Sequence, residues 1–411
     1  MAANIRIRMY RTGFGDCFLL SFGTANSARH VLLDFGAHAQ GEIGTMAQIM
    51  DDIESATFRK LELLVATHAH RDHISGFGKF ADRFARFEIG EVWLPWTDNP
   101  DDKEVAALER KNLALYARLE QHLRATLKAN GNDPLGAAAL HALSNLQGNE
   151  RAKAELGRAF GTGAKVRYLG AGAAFAKVGG ATGLSAEILG PPKEKQFFSR
   201  MDPPVGQHFL TAPGDTTGAV HPFPDLEIRA GDIDYTAIVQ EGQPLVPPQD
   251  LTPLLEQAEA PAGRLALALD NVRNNTSLVI LFRFRGKAML FPGDAQWGSW
   301  QSWIDTDNAR QLLGEIDFLK VAHHGSENAT PVSVVKALRA AGLAAMVPTQ
   351  VKPFPTIPRM PLLDELQKHC TGHVAVRSDW IDVKDAPPGP NPRPKLPKGF
   401  KSGELWIDYK L

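Results

Sequence analysis

Four side chains that could bind a metal ion fall within six positions in THAHRDHISG (67–76): His68, His70, Asp72 and His73. On an extended or turning segment, His68 and His70 project the same way, and Asp72 and His73 reach a second point a few ångströms off. Imidazole and carboxylate together suit zinc and related divalent ions. A solvated polar loop is the bland alternative. Buried without a cation, such a cluster would leave polar groups unsatisfied at high cost.

The elements around this loop must hold it. Leu61–Ala66 (LELLVA) reads as a buried strand running straight into it. Before it, Asn4–Met9 alternates in period two, Phe18–Phe22 and His30–Leu33 are short apolar runs, and Thr45–Ser55 reads as a helix. Ile89–Leu94 is the next strand. From Asp101 to Gly131 helix formers dominate, with apolar residues at 3–4 spacing, and a second helical stretch covers Pro134–Arg158. Strands return at Lys165–Leu169 and Ser185–Leu189, and residues 193–263 are rich in proline and loop-like. Ser277–Phe284 and Lys287–Phe291 form a hairpin around Arg285-Gly286. Phe318–Ala322, Ala344–Val347, Val374–Arg377 and Leu405–Tyr409 complete the strands, with a helix at Pro331–Ala341.

Composition limits what surrounds the site. The 411 residues carry 45 basic and 46 acidic side chains, a formal net charge of −1, so nucleic-acid affinity would need a local patch. At 44% hydrophobic and 22% charged residues the chain has globular composition with ample core material. Two cysteines, Cys17 and Cys370, cannot staple a fold of this size, so a reducing compartment is expected. The opening MAANIRIRMYR lacks the apolar segment of a signal peptide, and no stretch approaches the ~18 apolar residues of a membrane span. A cytoplasmic protein without membrane contact is the expectation.

An HxHxDH motif after an apolar strand resembles the signature of the metallo-β-lactamase superfamily, and later segments follow that family's order. Asp34 in LLDFG resembles the aspartate that buttresses the metal loop, and Asp294 in FPGDA resembles the acidic ligand that bridges both ions. In VAHHGS (321–326), His324 is placed as the final histidine ligand, and His323 beside it as a substrate-bonding or proton-donating neighbour. TGFGDCFLL (12–20), NNTSLVILF (274–282) and KVAHHGS (320–326) narrow the likeness to the hydrolase domain of the DNA-uptake competence protein ComEC and its free-standing relatives. The resemblance covers roughly residues 1–94, 165–192 and 265–411.

It implies an αββα sandwich of two mixed sheets with helices outside. Residues 1–94 form the first half, 95–164 a helical insertion, 165–192 a return to the sandwich, 193–264 a loop-rich insertion and 265–411 the second half. Two divalent ions are implied, zinc first and manganese second. His68 and His70 would hold one ion and Asp72, His73 and His324 the other, with Asp294 between them. Ions sharing a water lower its pKa towards neutrality and polarise the attacked group. Asp72 would orient the hydroxide and His323 protonate the leaving group. The implied activity is phosphodiester cleavage by a phosphodiesterase or nuclease. An ester or lactone hydrolase and a metal-bound, non-catalytic sensor or interaction module are the alternatives.

The chain departs from the family pattern twice. Gly190 in ILGPP stands where a further histidine ligand is expected, and Ile357 stands where the branch often has a histidine before Pro358. His208, His221, Asn274, Asn275 or a water remain open as replacements, and an oxygen-richer site favours manganese. Asn275 and Ser277 are candidates for substrate contact, with Ser326 beside them, and Asp16 either supports the metal loop or caps a turn. Lys384–Lys401, with six prolines and five basic residues, reads as a surface loop able to touch phosphate. His38, His122, His141, His369 and His373 read as loop or helix residues outside the site. Cys17 and the tryptophans 297, 300 and 303 read as core packing.

Overall fold

The computed structural model describes residues 4–24, 27–40, 43–130, 134–198, 200, 203–204, 206–209, 266, 269–304, 306–350, 357–380 and 396–411. Expectations placed on His221, on most of 193–264 and on 384–395 lie outside the described residues.

The described chain is mixed α/β with two large sheets. One has eight strands in the spatial order Phe400–Ser402, Trp406–Lys410, Ile5–Tyr10, Phe18–Phe22, Arg29–Leu33, Lys60–Val65, Glu88–Pro95 and Lys165–Leu169. The other has seven, in the order Val376–Arg377, Ala344–Val347, Phe318–Lys320, Lys287–Phe291, Val279–Phe284, Leu184–Gly190 and Ala174–Phe175. Side-chain alternation decides how they pack. Phe18, Leu20 and Phe22 point one way and join Ile280, Phe282 and Phe284 of the other sheet in one buried cluster. Phe18 and Phe291 meet there edge to face at 5.7 Å. Each large side chain so buried contributes ~1.5–3 kcal/mol.

The alternate residues of the strands face outward onto helices. Leu19 and Leu32 pack with Ile49, Ile53, Ile74 and Phe77 from the helices Met46–Thr57 and Arg71–Lys79. Val279 and Leu281 pack with Trp300, Leu313, Val334 and Leu362. Helix Met46–Thr57 starts on a capping box, in which Thr45 Oγ1 accepts from Gln48 N at 3.2 Å and Gln48 Oε1 accepts from Thr45 N at 2.9 Å. The hairpin after Phe284 turns on Arg285 and Gly286, both at positive φ (49° and 76°), the backbone of a two-residue primed turn.

Helices Lys103–Asn130 and Pro134–Leu146 pack on each other around a separate cluster of Leu115, Leu119, Leu123, Leu143 and Leu146. The second stretch breaks at Gly148 (φ 73°), and Glu150–Gly157 then packs on the helix Arg71–Lys79. Trp300 and Trp303 are buried on the helix Trp297–Ile304 and stack tilted at 5.3 Å. Cys17 is buried in the core, and burial pushes its thiol well up. No helix among the described residues is long and apolar enough to cross a membrane.

Candidate metal centre

Parallel pairing brings distant residues to one end of the molecule. Arg29–Leu33 runs parallel to Lys60–Val65, so Asp34 and the loop 67–73 leave the first sheet side by side. Lys287–Phe291 runs parallel to Phe318–Lys320, so Asp294 and His324 leave the second sheet together. The carboxyl ends of parallel strands are where open α/β sheets place ligands. Leu278 N donates to Thr67 O at 2.8 Å and ties the two sheets at this point.

Backbone contacts then leave no slack. Asp16 N donates to Asp72 O at 2.9 Å, Gly36 N to Asp16 O at 3.1 Å and Phe35 N to His73 O at 2.8 Å. Gly36 is required by this approach, because a Cβ there would sit 2.3 Å from Asp72 C and 2.4 Å from His73 N. Asp34, His323 and His324 hold φ of 54°, 44° and 53°. Such left-handed backbone costs on the order of 1–2 kcal/mol per residue and is found where a site fixes it.

The side chains converge and are buried. Ligand-type atoms of Asp16, His73, Asp294 and His324 lie within 4.8 Å of one another, and this group could hold a metal ion. His68, His70, Asp72 and His73 are all at most 2% exposed, as are Asp294 and His324. His68, His73 and His324 each have one ring nitrogen tied to an outer partner. His73 Nδ1 is 2.8 Å from Asp34 Oδ2, and His324 Nδ1 is 2.9 Å from Pro348 O. A carboxylate and a carbonyl only accept, so both Nδ1 atoms carry protons. Thr67 Oγ1 gives its own proton to Asp34 Oδ2 at 2.7 Å and so accepts from His68 Nδ1 at 3.2 Å.

The free edges face inward. His73 Nε2 lies 3.0 Å from Asp294 Oδ2 and 3.9 Å from Asp72 Oδ2, and His324 Nε2 lies 3.1 Å from Asp72 Oδ2 and 3.5 Å from Asp294 Oδ2. Ligands bound tetrahedrally at ~2.0–2.2 Å would be ~3.4 Å apart, and these four contacts span that spacing. His68 Nε2 and His70 Nδ1 face each other at 2.9 Å, beside this group.

Charges divide the two pairs of rings. Burial opposes the cations of His73 and His324, but Asp294, Asp16 and Asp72 outweigh it and raise both. Burial would raise Asp294, yet His73, Lys320 and His324 hold it well below the usual carboxylate range, and His73 and His324 lower Asp72 in the same way. His70 is lowered to about 3, chiefly by burial, and His68 is lowered as well, so both rings are neutral. Asp16 lies on the Nδ1 side of His73 and His324, at 3.8 and 3.6 Å, and bonds Lys320 Nζ at 2.5 Å. Lys320, 1% exposed, also donates to Asp294 Oδ1 at 3.0 Å and Gly293 O at 2.8 Å.

The remaining expected residues take distinct places. Ser277 Oγ lies 3.2 Å from His68 Nδ1 and accepts from Asp294 N at 3.1 Å, linking the loops that carry His68 and Asp294. The Asn275 amide is committed to backbone: Oδ1 accepts from Gln296 N and Ser299 N, and Nδ2 donates to Phe198 O and Arg200 O. Asn274 is 1% exposed with neither amide atom hydrogen-bonded. Ser326 Oγ donates to Asn328 Oδ1 and lies 2.9 Å from His323 Nδ1, and Gln296 Nε2 approaches the same nitrogen at 3.4 Å. Gly190 has no room for a ligand, since a Cβ would meet Ser299 Oγ and Val279 Cγ2 at 2.8 Å. His208 stands beside Gln207, which bonds the first turn of helix Val332–Ala337.

Several participants were not singled out in the sequence. Lys320, Asp270, Arg273, Asn145 and Asn149 belong to this group. A lysine inside the apolar run FLKVA was the one available signal for Lys320. The helical insertion reaches the loop directly: Asn145 Oδ1 accepts from Asp72 N at 3.2 Å, and Asn149 Nδ2 donates to Ala69 O at 2.9 Å. No protein-family model matches the chain, and no curated protein matches it.

Proposed function

We propose that this chain is a metal-dependent hydrolase of the metallo-β-lactamase superfamily, built as a helix–sheet–sheet–helix sandwich, and that phosphodiesters are its substrates. One observation carries the reading: four buried imidazoles, three of them with one nitrogen tied outward by a defined acceptor, turn their other nitrogens towards each other and towards Asp72 and Asp294. Outer partners that fix the tautomer and aim the second nitrogen are the usual support of a metal-bound histidine. His68 Nε2 and His70 Nδ1 would hold one cation. His73 Nε2, His324 Nε2, Asp72 and Asp294 Oδ2 would hold the other. Zinc suits the imidazole-rich set, and manganese becomes competitive if Asn274 adds an oxygen.

Two such ions supply a water acidified towards neutral pH and positive charge for the attacked phosphoryl or carbonyl group. The chain's own groups do the rest. Asp72 Oδ1 is buried without a hydrogen-bond partner and can accept a proton from an attacking water. His323, anchored through Nδ1 to Ser326 and less buried than His324, presents Nε2 to substrate. Asp34, Thr67 and Ser277 keep the rings from turning, so the ligand geometry exists before substrate arrives.

The phosphodiester assignment follows the resemblance in motifs 12–20, 274–282 and 320–326. Hydrolysis of an ester or lactone would use the same centre. Elemental analysis of purified protein, joined to a screen of phosphodiester, lactone and nucleic-acid substrates with added zinc or manganese, tests both levels. Bound metal and phosphodiester turnover that Asp294→Ala abolishes together support the reading. Full activity in Asp294→Ala contradicts it.

A further inference from the structure

Residues 269–274 form a helical segment that the metal-binding loops do not explain. Its start is fixed by the insertion, because Ala266 and Leu269 pack with Leu115, Leu119 and Leu143. Its end is fixed by Arg273, whose guanidinium pairs with Asp98 at 2.9 Å and Glu109 at 3.9 Å, Glu109 being paired in turn with Lys153. Between these anchors, Asp270 Oδ1 reaches 3.3 Å from His70 Nε2. Neither atom has a hydrogen-bond partner: the two face each other within ion-pair distance but are not aligned as a hydrogen bond.

The two nitrogens of an imidazole point in opposed directions, and only one carries the proton when the ring is neutral. His70 Nδ1 faces His68 Nε2 at 2.9 Å, so the ring can offer a lone pair there only if its proton sits on Nε2. Asp270 Oδ1, 3.3 Å from Nε2, is an orphaned buried oxygen that a small rotation would bring into line as its acceptor. We propose that Asp270 is the positioning carboxylate of His70, holding the proton on Nε2 so that Nδ1 joins His68 Nε2 as a ligand pair for the first cation. The helical insertion, by anchoring the segment 269–274, thereby influences the occupancy of that cation through a side chain 200 residues along the chain from the histidine it positions. Asp270 does not touch the reacting atoms in this arrangement. The inference rests on the metal-centre reading above.

The test uses the full chain, loaded with zinc for chelator competition and with cobalt(II) for absorption spectra. Wild type binds two ions. Asp270→Ala weakens one of them by ~10–100-fold, the range found when an outer partner of a metal-bound histidine is removed, and leaves the other unchanged. At saturating cobalt the band intensities of Asp270→Ala match wild type, because no ligand has been lost. Asp270→Asn recovers most of the affinity, since its amide oxygen still accepts from Nε2–H. Arg273→Met, which releases the segment without touching Asp270, gives a smaller loss of the same ion. Unchanged affinity for both ions in Asp270→Ala overturns the proposal. So does a changed cobalt spectrum at saturation without rescue by Asp270→Asn, which would make Asp270 a direct ligand. Wild type that binds no ion removes the metal-centre reading itself, an outcome distinct from either.

Discussion

Replacing Lys320 by methionine strips two buried carboxylates of their cation while keeping the apolar stem. The ammonium spends all three protons, on Asp16 Oδ2 at 2.5 Å, Gly293 O at 2.8 Å and Asp294 Oδ1 at 3.0 Å. Methionine nearly conserves volume, so packing changes little. The loss is electrostatic: removing one partner of a buried ion pair costs about 3–5 kcal/mol. With a urea slope of about 3 kcal/mol per M, the unfolding midpoint of metal-free protein falls by about 1–2 M. Tryptophan fluorescence reads this directly, since Trp93 and Trp300 are fully buried. Added zinc should recover part of the loss, because Asp294 would face the proposed ion while Asp16 lies on the Nδ1 side of the histidine rings. A midpoint within about 0.5 kcal/mol of wild type refutes the counterion role. Complete recovery with zinc refutes the placement of Asp16 and makes it a ligand.

Asp34→Asn keeps one acceptor but turns an N–H₂ towards groups that donate to it, Thr67 N, Thr67 Oγ1 or His73 Nδ1. Zinc affinity at the His73 position should drop ~10–100-fold by chelator competition. His323→Ala should lower turnover while metal content stays near wild type, and loss of metal first would exchange the assigned roles of His323 and His324. His30, far along the sheet from the loops, is lowered to about 4 by burial and then by Arg6. Its folded pKa lies below the unfolded value of ~6.5, so its stability contribution is present above pH 6.5 and lost as pH falls towards 4. At ~1.4 kcal/mol per pH unit this is ~3 kcal/mol. His30→Gln should flatten the urea midpoint across that window, and an unchanged slope would exclude His30 as its source.

Local signals made much of the framework legible. The apolar run 61–66 emerged as Lys60–Val65, the 3–4 spacing after Asp101 as Lys103–Asn130, and Arg285-Gly286 as a primed turn. His68, His70, Asp72 and His73 stood together because a single loop carries them. Asp294 and His324 needed the motifs FPGDA and VAHHGS, since nothing in their own surroundings says which strand ends meet. Lys320 and Asp270 escaped notice for a physical reason. Their meaning comes from partners 26 to 304 residues away, Asp294 and Asp16 for one and His70 for the other, and no periodicity encodes such pairs. Gly190 shows the converse: the pattern placed a ligand at a position whose space Ser299 and Val279 already fill.

Crystals of the full chain grown with zinc, and separately with manganese, give the most direct measurement through anomalous difference maps at each metal edge. Two peaks are expected. One should lie ~2.0–2.2 Å from His68 Nε2 and His70 Nδ1, and the other at that distance from His73 Nε2, His324 Nε2 and Asp72, with Asp294 Oδ2 in reach. Strong density elsewhere with none between these side chains, or a lone peak bound by Asp16 on the Nδ1 side of the rings, would contradict the account.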